Sequence, residues 1–429
     1  MNRSTFLKLA SALMGSIFAK NKLSAQENPQ AETPKKSFKF TLQPYITSLT
    51  NTEGFIVLAT NKPSVVEVET IYEDGKKRKF YASHISSGIK HVGNLHSVRI
   101  KDLKAGEIVQ YQVKATEVIT YWACIDKIKG RFKMGETIVY NGTTDAPLQF
   151  KVPNASNKIE IGVVTDIHGR AKHMCNLLIH MPNPEMLIMT GDMDHWLKSH
   201  EAIEQRFLCD ASDFTAGKIP LYWVRGNHEC RGALAEKFFH YAPYPDNKTY
   251  CAFRQGPIFF LMLDSCEMNN DKSATNGGFV DLVSYQKEEA EWLQEVVKTP
   301  EFKEAPFRVI FQHIPLYTEA WPLSQKALAA LKKNPKKKPE YVNPYNTFRK
   351  KLFYDNILKD ANIDLLVCGH LHRYVWVPAS EKMNFPTFVC SNEEASIITA
   401  DNNKIQIKII DQTGKQTHDL LEIKAKGKA

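Results

Sequence analysis

The sequence has no Cys-x-x-Cys pair; its eight cysteines are scattered, which argues against a zinc ribbon or a thioredoxin-like redox pair. It has no collagen-like or low-complexity stretch, and hydrophobic residues at 43% with charged residues at 24% are the balance of a globular chain with a substantial core. Apart from one lysine-rich segment it has no extended basic or aromatic track. The net charge of +9 falls to +5 once the four basic residues Arg3, Lys8, Lys20 and Lys22 are set aside. That excess is too mild to indicate a specific nucleic-acid partner. No apolar run at the N-terminus is long enough to span a bilayer comfortably, because Leu9–Ala19 is too short.

What the first residues do have is the pattern of an export signal. Arg3 and Lys8 precede the apolar run, and Leu23-Ser24-Ala25-Gln26 offers a small-residue cleavage point with no cysteine nearby to accept lipid. Residues 1–25 therefore read as a signal peptide, and 26–37, rich in Gln, Glu, Pro and Lys, as a flexible linker. The mature protein is expected in the periplasm or secreted, without a stable membrane span. Such a compartment permits disulfides, but Cys175, Cys368 and Cys390 sit in apolar contexts and read as buried thiols.

At 429 residues the chain is long enough for two cores. Between 38 and 152, runs such as Gly54–Ala59, Ser64–Glu69 and Ile108–Val113 are β-rich and separated by turn signals, with no long helical pattern, as in a small antiparallel sandwich. From 155 to 425 the pattern is mixed α/β. Strands are expected at Ile159–Thr165, Met186–Met189, Leu221–Val224, Val309–Phe311 and Ile363–Val367. Helices are expected at Glu201–Leu208 and Tyr285–Val297, a hairpin at Thr249–Asp264, and further strands over Ser396–Ile423. The lysine-rich segment Lys326–Pro344 contains prolines and reads as a solvated loop.

Each of those five strands ends in a ligand-type residue. The first runs into Asp166-Ile167-His168, the second into Gly191-Asp192, and the third into Gly226-Asn227-His228-Glu229. The fourth runs into His313 and the fifth into Gly369-His370-Leu371-His372. Sites in α/β sheets gather beyond the carboxyl ends of strands, so these residues can converge despite their separation in sequence. Each motif is weak alone; all five, in order and each after a strand, are not a coincidence. Mixed histidine and carboxylate ligands suit Mn, Fe or Zn better than Mg or Ca.

This ordered set resembles the calcineurin-like metallophosphoesterase superfamily, and the β-rich segment before it resembles the fibronectin-like domain of purple acid phosphatases. The resemblance implies an α/β, layered β-sandwich flanked by helices, preceded by a small all-β sandwich. It also implies two divalent or trivalent metal ions. One would be held by Asp166, His168, Asp192 and His372, the other by Asp192, Asn227, His313 and His370, with Asp192 bridging. His228 matches the position that protonates the departing oxygen. The implied activity is hydrolysis of small phosphate esters, a monoester first, by a hydroxide bridging the metals. A phosphodiesterase with the same centre is the competing reading, a non-catalytic binding protein of the same fold a third, and a nuclease a fourth.

The motif departs from the purple acid phosphatases, which have a glycine and a tyrosine where this chain has His168 and His195, so no tyrosine-to-iron colour is expected. Arg225 and Arg373 are each readable as phosphate binders or as partners of rim carboxylates. Glu229 is placed to orient His228, and Tyr317 and Trp321 to line a pocket or fill core.

Overall fold

Among the described residues between 38 and 152 there are seven strands: β1 (Phe40–Thr47), β2 (Gly54–Ile71), β3 (Lys77–Tyr81), β4 (Gly93–Ile100), β5 (Ile108–Thr120), β6 (Lys133–Tyr140) and β7 (Gln149–Lys151). They come from a computed structural model that describes residues 37–82, 88–120, 133–141 and 147–426. The expected signal, 1–25, and residues 26–36 of the expected linker lie outside the described residues. β2 is the hub, pairing antiparallel with β1, β3, β4 and β5. Its second half has the two-residue period of a strand with one buried face: Ser64, Val66, Val68 and Thr70 are buried, and Val65, Glu67 and Glu69 between them are partly open.

The remaining strands are β8 (Lys158–Val164), β9 (Met186–Met189), β10 (Leu221–Trp223), β11 (Cys251–Gln255), β12 (Ile258–Met262), β13 (Phe307–Phe311), β14 (Leu365–Cys368), β15 (Val375–Val377), β16 (Thr387–Val389), β17 (Glu394–Asp401), β18 (Lys404–Asp411) and β19 (Leu421–Lys424). They fall in two sheets. One follows the order β19-β18-β17-β8-β9-β10-β1-β2-β5-β6, the other β11-β12-β13-β14-β16-β15. The junction between the N-terminal strands and the rest is parallel pairing of β1 with β10 at Thr47 and Leu221. In the middle of each sheet the strands are parallel, β8-β9-β10 in the first and β12-β13-β14-β16 in the second.

The sheets face each other across an apolar core. Tyr222 stacks on Phe253 at 5.0 Å, Phe253 on Phe260 at 4.9 Å, and Phe260 on Phe311 at 5.8 Å. The opposite face of the second sheet, including Phe259, Leu261, Ile310 and Leu366, lies in a second core that includes Leu293, Phe302, Phe353 and Leu358. This alternation leaves both faces of β12–β14 buried, which is why they are near-continuous apolar runs.

The expected hairpin is present as β11–β12. Helical turns run from His200 to Thr215, with a π turn at Glu204–Leu208, so this helix extends past the expected end at Leu208. Two further helices are α1 (Ala171–Ile179) and α2 (Leu282–Val296). In α2 the capping side chain of Asp281 accepts from the Ser284 amide, and Trp292 packs, partly buried, against the second core.

Two expectations fail. The lysine-rich segment is not all loop, because α3 (Gln325–Lys333) occupies its first half, N-capped by Ser324. The prolines, Pro335 and Pro339, fall after the helix and stop it without interrupting it. Cys175 is exposed, not buried. It lies on the outer face of α1, whose Met174, Leu177 and Leu178 point inward, and helical period outweighs local apolar context. Cys368 and Cys390 are buried free thiols, and the seven described cysteines are all free. No helix among the described residues is long and apolar enough to cross a membrane.

Candidate metal centre

Parallel strands in both sheets end at the same edge, and the five strand ends deliver the seven expected side chains there. β8 leads to Asp166 and His168, β9 to Asp192, β10 to Asn227, β13 to His313, and β14 to His370 and His372. The turns that do this are tight. Asp166, His168, Asp192, His370 and His372 all have positive φ, between 51° and 74°, a region that residues with a side chain seldom adopt. Backbone bonds hold them: the amides of Asp166 and His168 donate to the carbonyls of Gly191 and Asp192 at 3.0 and 3.1 Å, and that of Gly369 to His313 at 3.0 Å. Gly191 has φ +88°, and a Cβ there would lie 2.7 Å from His313 Nδ1 and 2.8 Å from the Gly226 backbone. The neighbouring strand ends can approach this closely only at a glycine.

Among the described residues three groups of possible metal ligands form: Asp166 with His168 and His372, Asp192 with His313 and His370, and His168 with His195 and His228. In the first, His168 Nε2 and His372 Nε2 are 2.9 Å apart, and Asp166 Oδ1 is 3.8 Å from one and 3.2 Å from the other. In the second, His313 Nε2 is 3.0 Å from Asp192 Oδ2, and Asn227 Oδ1 is 3.0 Å from His370 Nδ1. These two groups adjoin, since Asp166 Oδ1 lies 4.0 Å from His313 Nε2. Both of those atoms are buried, and what surrounds them is ion-pair contact within the cluster, not well-aligned hydrogen bonding.

The protonation pattern fits cation binding. Burial, and then the charge of His313, holds His370 down to about 4, so its ring is neutral and carries one N–H. Yet both its nitrogens face acceptors, Asn227 Oδ1 and, at 3.0 Å, Met268 Sδ. One nitrogen therefore presents a bare lone pair to another electron-rich atom, a contact that a cation relieves. Burial also lowers His168 to about 4. Burial opposes protonation of His313 too, but the carboxylates of Asp192 and Asp166 overcome it and raise the group to about 10. That proton occupies the place of a positive charge among buried carboxylates.

Supporting bonds aim the candidate ligands. His313 Nδ1 meets the Thr190 carbonyl at 2.7 Å, which leaves Nε2 directed at the carboxylates. Asp166 Oδ2 accepts from the Thr165 hydroxyl and from the His370 amide, each at 2.8 Å, leaving Oδ1 for the site. Asp192 Oδ1 accepts from the His228 amide at 2.8 Å. His228 is partly exposed, with Nε2 3.6 Å from Asp192 Oδ2, and its Nδ1 is held by the His195 carbonyl. His195 stacks on His168 at 4.7 Å.

Other sequence expectations resolve differently. Arg225 pairs with buried Asp264, Nε to Oδ2 at 2.7 Å, and is committed to that carboxylate, not to a substrate. Trp321 belongs to the second core, with Tyr317 packed on it at 5.1 Å. Glu229 serves the backbone: its oxygens accept from the amides of Asp192, Met193 and Gly226 at 2.9, 2.8 and 2.8 Å. One buried carboxylate thus ties the β9 turn to the β10 turn. Met268 went unrecognised in the sequence, where no motif marks a thioether beside His370.

Fold and site together define the class as metal-dependent phosphoester hydrolases. The chain belongs to the calcineurin-like phosphoesterase family, whose model matches residues 159–374, half of its length. It is similar to the serine/threonine-protein phosphatase CPPED1 of Mus musculus, 25% identical over 198 residues, covering 45% of this chain and 54% of the relative. The protein of the same name from Danio rerio is 28% identical over 199 residues, with 45% and 55% covered. The chain spans about half the length of these curated relatives. Among solved structures, the purple acid phosphatase PPD1 from yellow lupin (Lupinus luteus) seeds shares the fold, with a TM-score of 0.58 at 12% identity, covering 89% of this chain and 74% of that one.

Proposed function

We propose that the protein is an exported phosphomonoesterase with a dinuclear metal centre. The observation that carries this reading is the meeting of seven candidate ligands from five strand ends around two buried atoms, Asp166 Oδ1 and His313 Nε2, whose neighbours are ion-pair contacts within the same cluster. Asp166, His168 and His372 would hold one ion and Asn227, His313 and His370 the other, with Asp192 shared; the histidine-rich set favours Mn, Fe or Zn. When bound, such ions supply electrophilic activation of the phosphoryl group and of water. Export is supported by the basic start and short apolar run of residues 1–25, and the monoester preference by the phosphatase relatives.

The chain's own groups supply the rest. The His195 carbonyl accepts from His228 Nδ1, so in the imidazolium form the second proton sits on Nε2, and its transfer to the departing alkoxide leaves the neutral ring with its Nδ1–H bond intact. Partial exposure of His228 lets the leaving alcohol exit to solvent. Glu229 keeps Asp192 and Asn227 in register through three backbone bonds.

The test is metal content together with hydrolysis of an activated monoester and the matching diester, on full-length protein reloaded with Mn, Fe or Zn. About two ions per chain and metal-dependent turnover favouring the monoester are expected; faster diester turnover would reassign the substrate class. No metal uptake under any loading would overturn the reading. Asp192→Asn should lose metal and turnover together. His228→Ala should retain metal while kcat falls roughly 10²- to 10⁴-fold, the usual range for a proton-transfer group.

A further inference from the structure

Most tryptophans of this protein are placed as core residues. Among the described residues, Trp223 and Trp321 are buried and Trp292 and Trp376 partly buried; Trp196 alone is exposed, at 44%. It lies four residues after Asp192, on the turn that leaves β9.

That turn is firmly held. Asp194, with its side chain buried, pairs with Arg206 at 3.0 Å and accepts from the His195 amide at 2.6 Å. Leu197 is fully buried, its amide donating to the Arg231 carbonyl at 2.9 Å and its carbonyl accepting from the Leu234 amide at 2.9 Å. The residues on either side of Trp196 are thus anchored while its indole stands in solvent. An aromatic ring displayed on a fixed loop beside a candidate site is available for recognition.

The His195 ring is in contact with both a candidate ligand and Trp196. His168 stacks on His195 at 4.7 Å with planes 26° apart, and His195 lies 6.3 Å from Trp196. The ammonium of Lys198 sits 4.7 Å from the Trp196 ring centre. His195 is also the residue whose carbonyl holds His228, the proposed proton donor to the leaving group, and the two imidazoles are 6.0 Å apart. Trp196 thus stands two ring contacts from the candidate ligand His168, next to the residue that holds His228.

We propose that Trp196, with Lys198 beside it, is a stacking subsite for the leaving group, and that the enzyme prefers phosphate monoesters whose alcohol carries a flat aromatic ring. This rests on the phosphoesterase reading above. Flat π surfaces gain from an indole face what an aliphatic alcohol cannot.

The experiment compares wild type, Trp196→Ala and Trp196→Phe, full length and metal-reloaded, on phenyl phosphate and glycerol 3-phosphate. Wild type should favour phenyl phosphate. Trp196→Ala should lower the ratio of the two kcat/KM values roughly fivefold or more, the size of one lost stacking contact, with the loss in KM. Trp196→Phe should restore most of it. Binding is read separately by intrinsic fluorescence, taken as wild type minus Trp196→Phe, with phenylphosphonate and methylphosphonate as non-hydrolysable probes; only the first should quench. An unchanged ratio in Trp196→Ala, or equal quenching by both probes, overturns the subsite. Selective quenching in a protein that hydrolyses neither ester supports the subsite and overturns the phosphoesterase reading instead.

Discussion

Gly191→Ala tests the claim that close approach of strand ends builds the site. The substitution has two separable effects. A side chain at positive φ costs on the order of 1–2 kcal/mol wherever it occurs. At Gly191 the new Cβ would also stand 2.7 Å from His313 Nδ1 and 2.8 Å from the Gly226 backbone, and such overpacking typically adds about 1–3 kcal/mol. Gly75→Ala supplies the internal reference, because Gly75 has φ +77° with nothing within 4 Å of its would-be Cβ. Urea unfolding should place Gly191→Ala about 2–5 kcal/mol below wild type and Gly75→Ala only about 1–2 kcal/mol below. Because the clash pushes His313 away from the Thr190 carbonyl, Gly191→Ala should also lose bound metal, measured by elemental analysis, while Gly75→Ala keeps it. Equal stability losses with full metal in both variants would refute the argument.

Other outcomes follow from particular contacts. Glu229→Ala removes the acceptor of three buried amides, each costing about 1–3 kcal/mol when left unpaired; the variant should unfold at much lower urea and bind metal poorly, and near-native metal affinity would contradict the clamp. Burial, with the neighbouring Asp264 charge, holds the Glu289 carboxyl well above its ordinary value of 4.5, so the fold favours its protonated form more than the unfolded chain does. Its contribution is complete below about pH 4.5 and falls as pH rises toward the folded value, at up to about 1.4 kcal/mol per pH unit. Glu289→Gln should flatten that slope in unfolding curves between pH 5 and 9; parallel curves would argue that Glu289 is ionised in the fold. Metal removal by a chelator should lower the melting temperature, and readdition should raise it again with the logarithm of free ion concentration above the dissociation constant.

Much of the site was legible because parallel strands give two signals at once. Runs such as Leu187-Ile188-Met189 and Val309-Ile310-Phe311 are apolar because both their faces are covered, and the polar residue that ends each run marks the edge where sites gather. What the letters could not carry was geometry between segments. Nothing local shows that the Glu229 carboxylate reaches the amides of Asp192 and Gly226, or that Met268 sits against His370, since both contacts depend on how separate turns meet. Helix α3 was readable and was misread. Ser324 is a good cap and Ala327-Leu328-Ala329-Ala330-Leu331 a strong helix former, and Pro335 and Pro339 lie beyond the helix and do not break it. Cys175 shows the same lesson at the level of one turn, where periodicity decided burial and neighbouring residue type did not.

The positive φ angles at Asp166, His168, Asp192, His370 and His372 set stability against chemistry. Glycine at any of the five would relax the backbone while deleting a candidate ligand. A descendant of this chain released from its reaction would be expected to accumulate glycine at these positions and to become more stable as it did so.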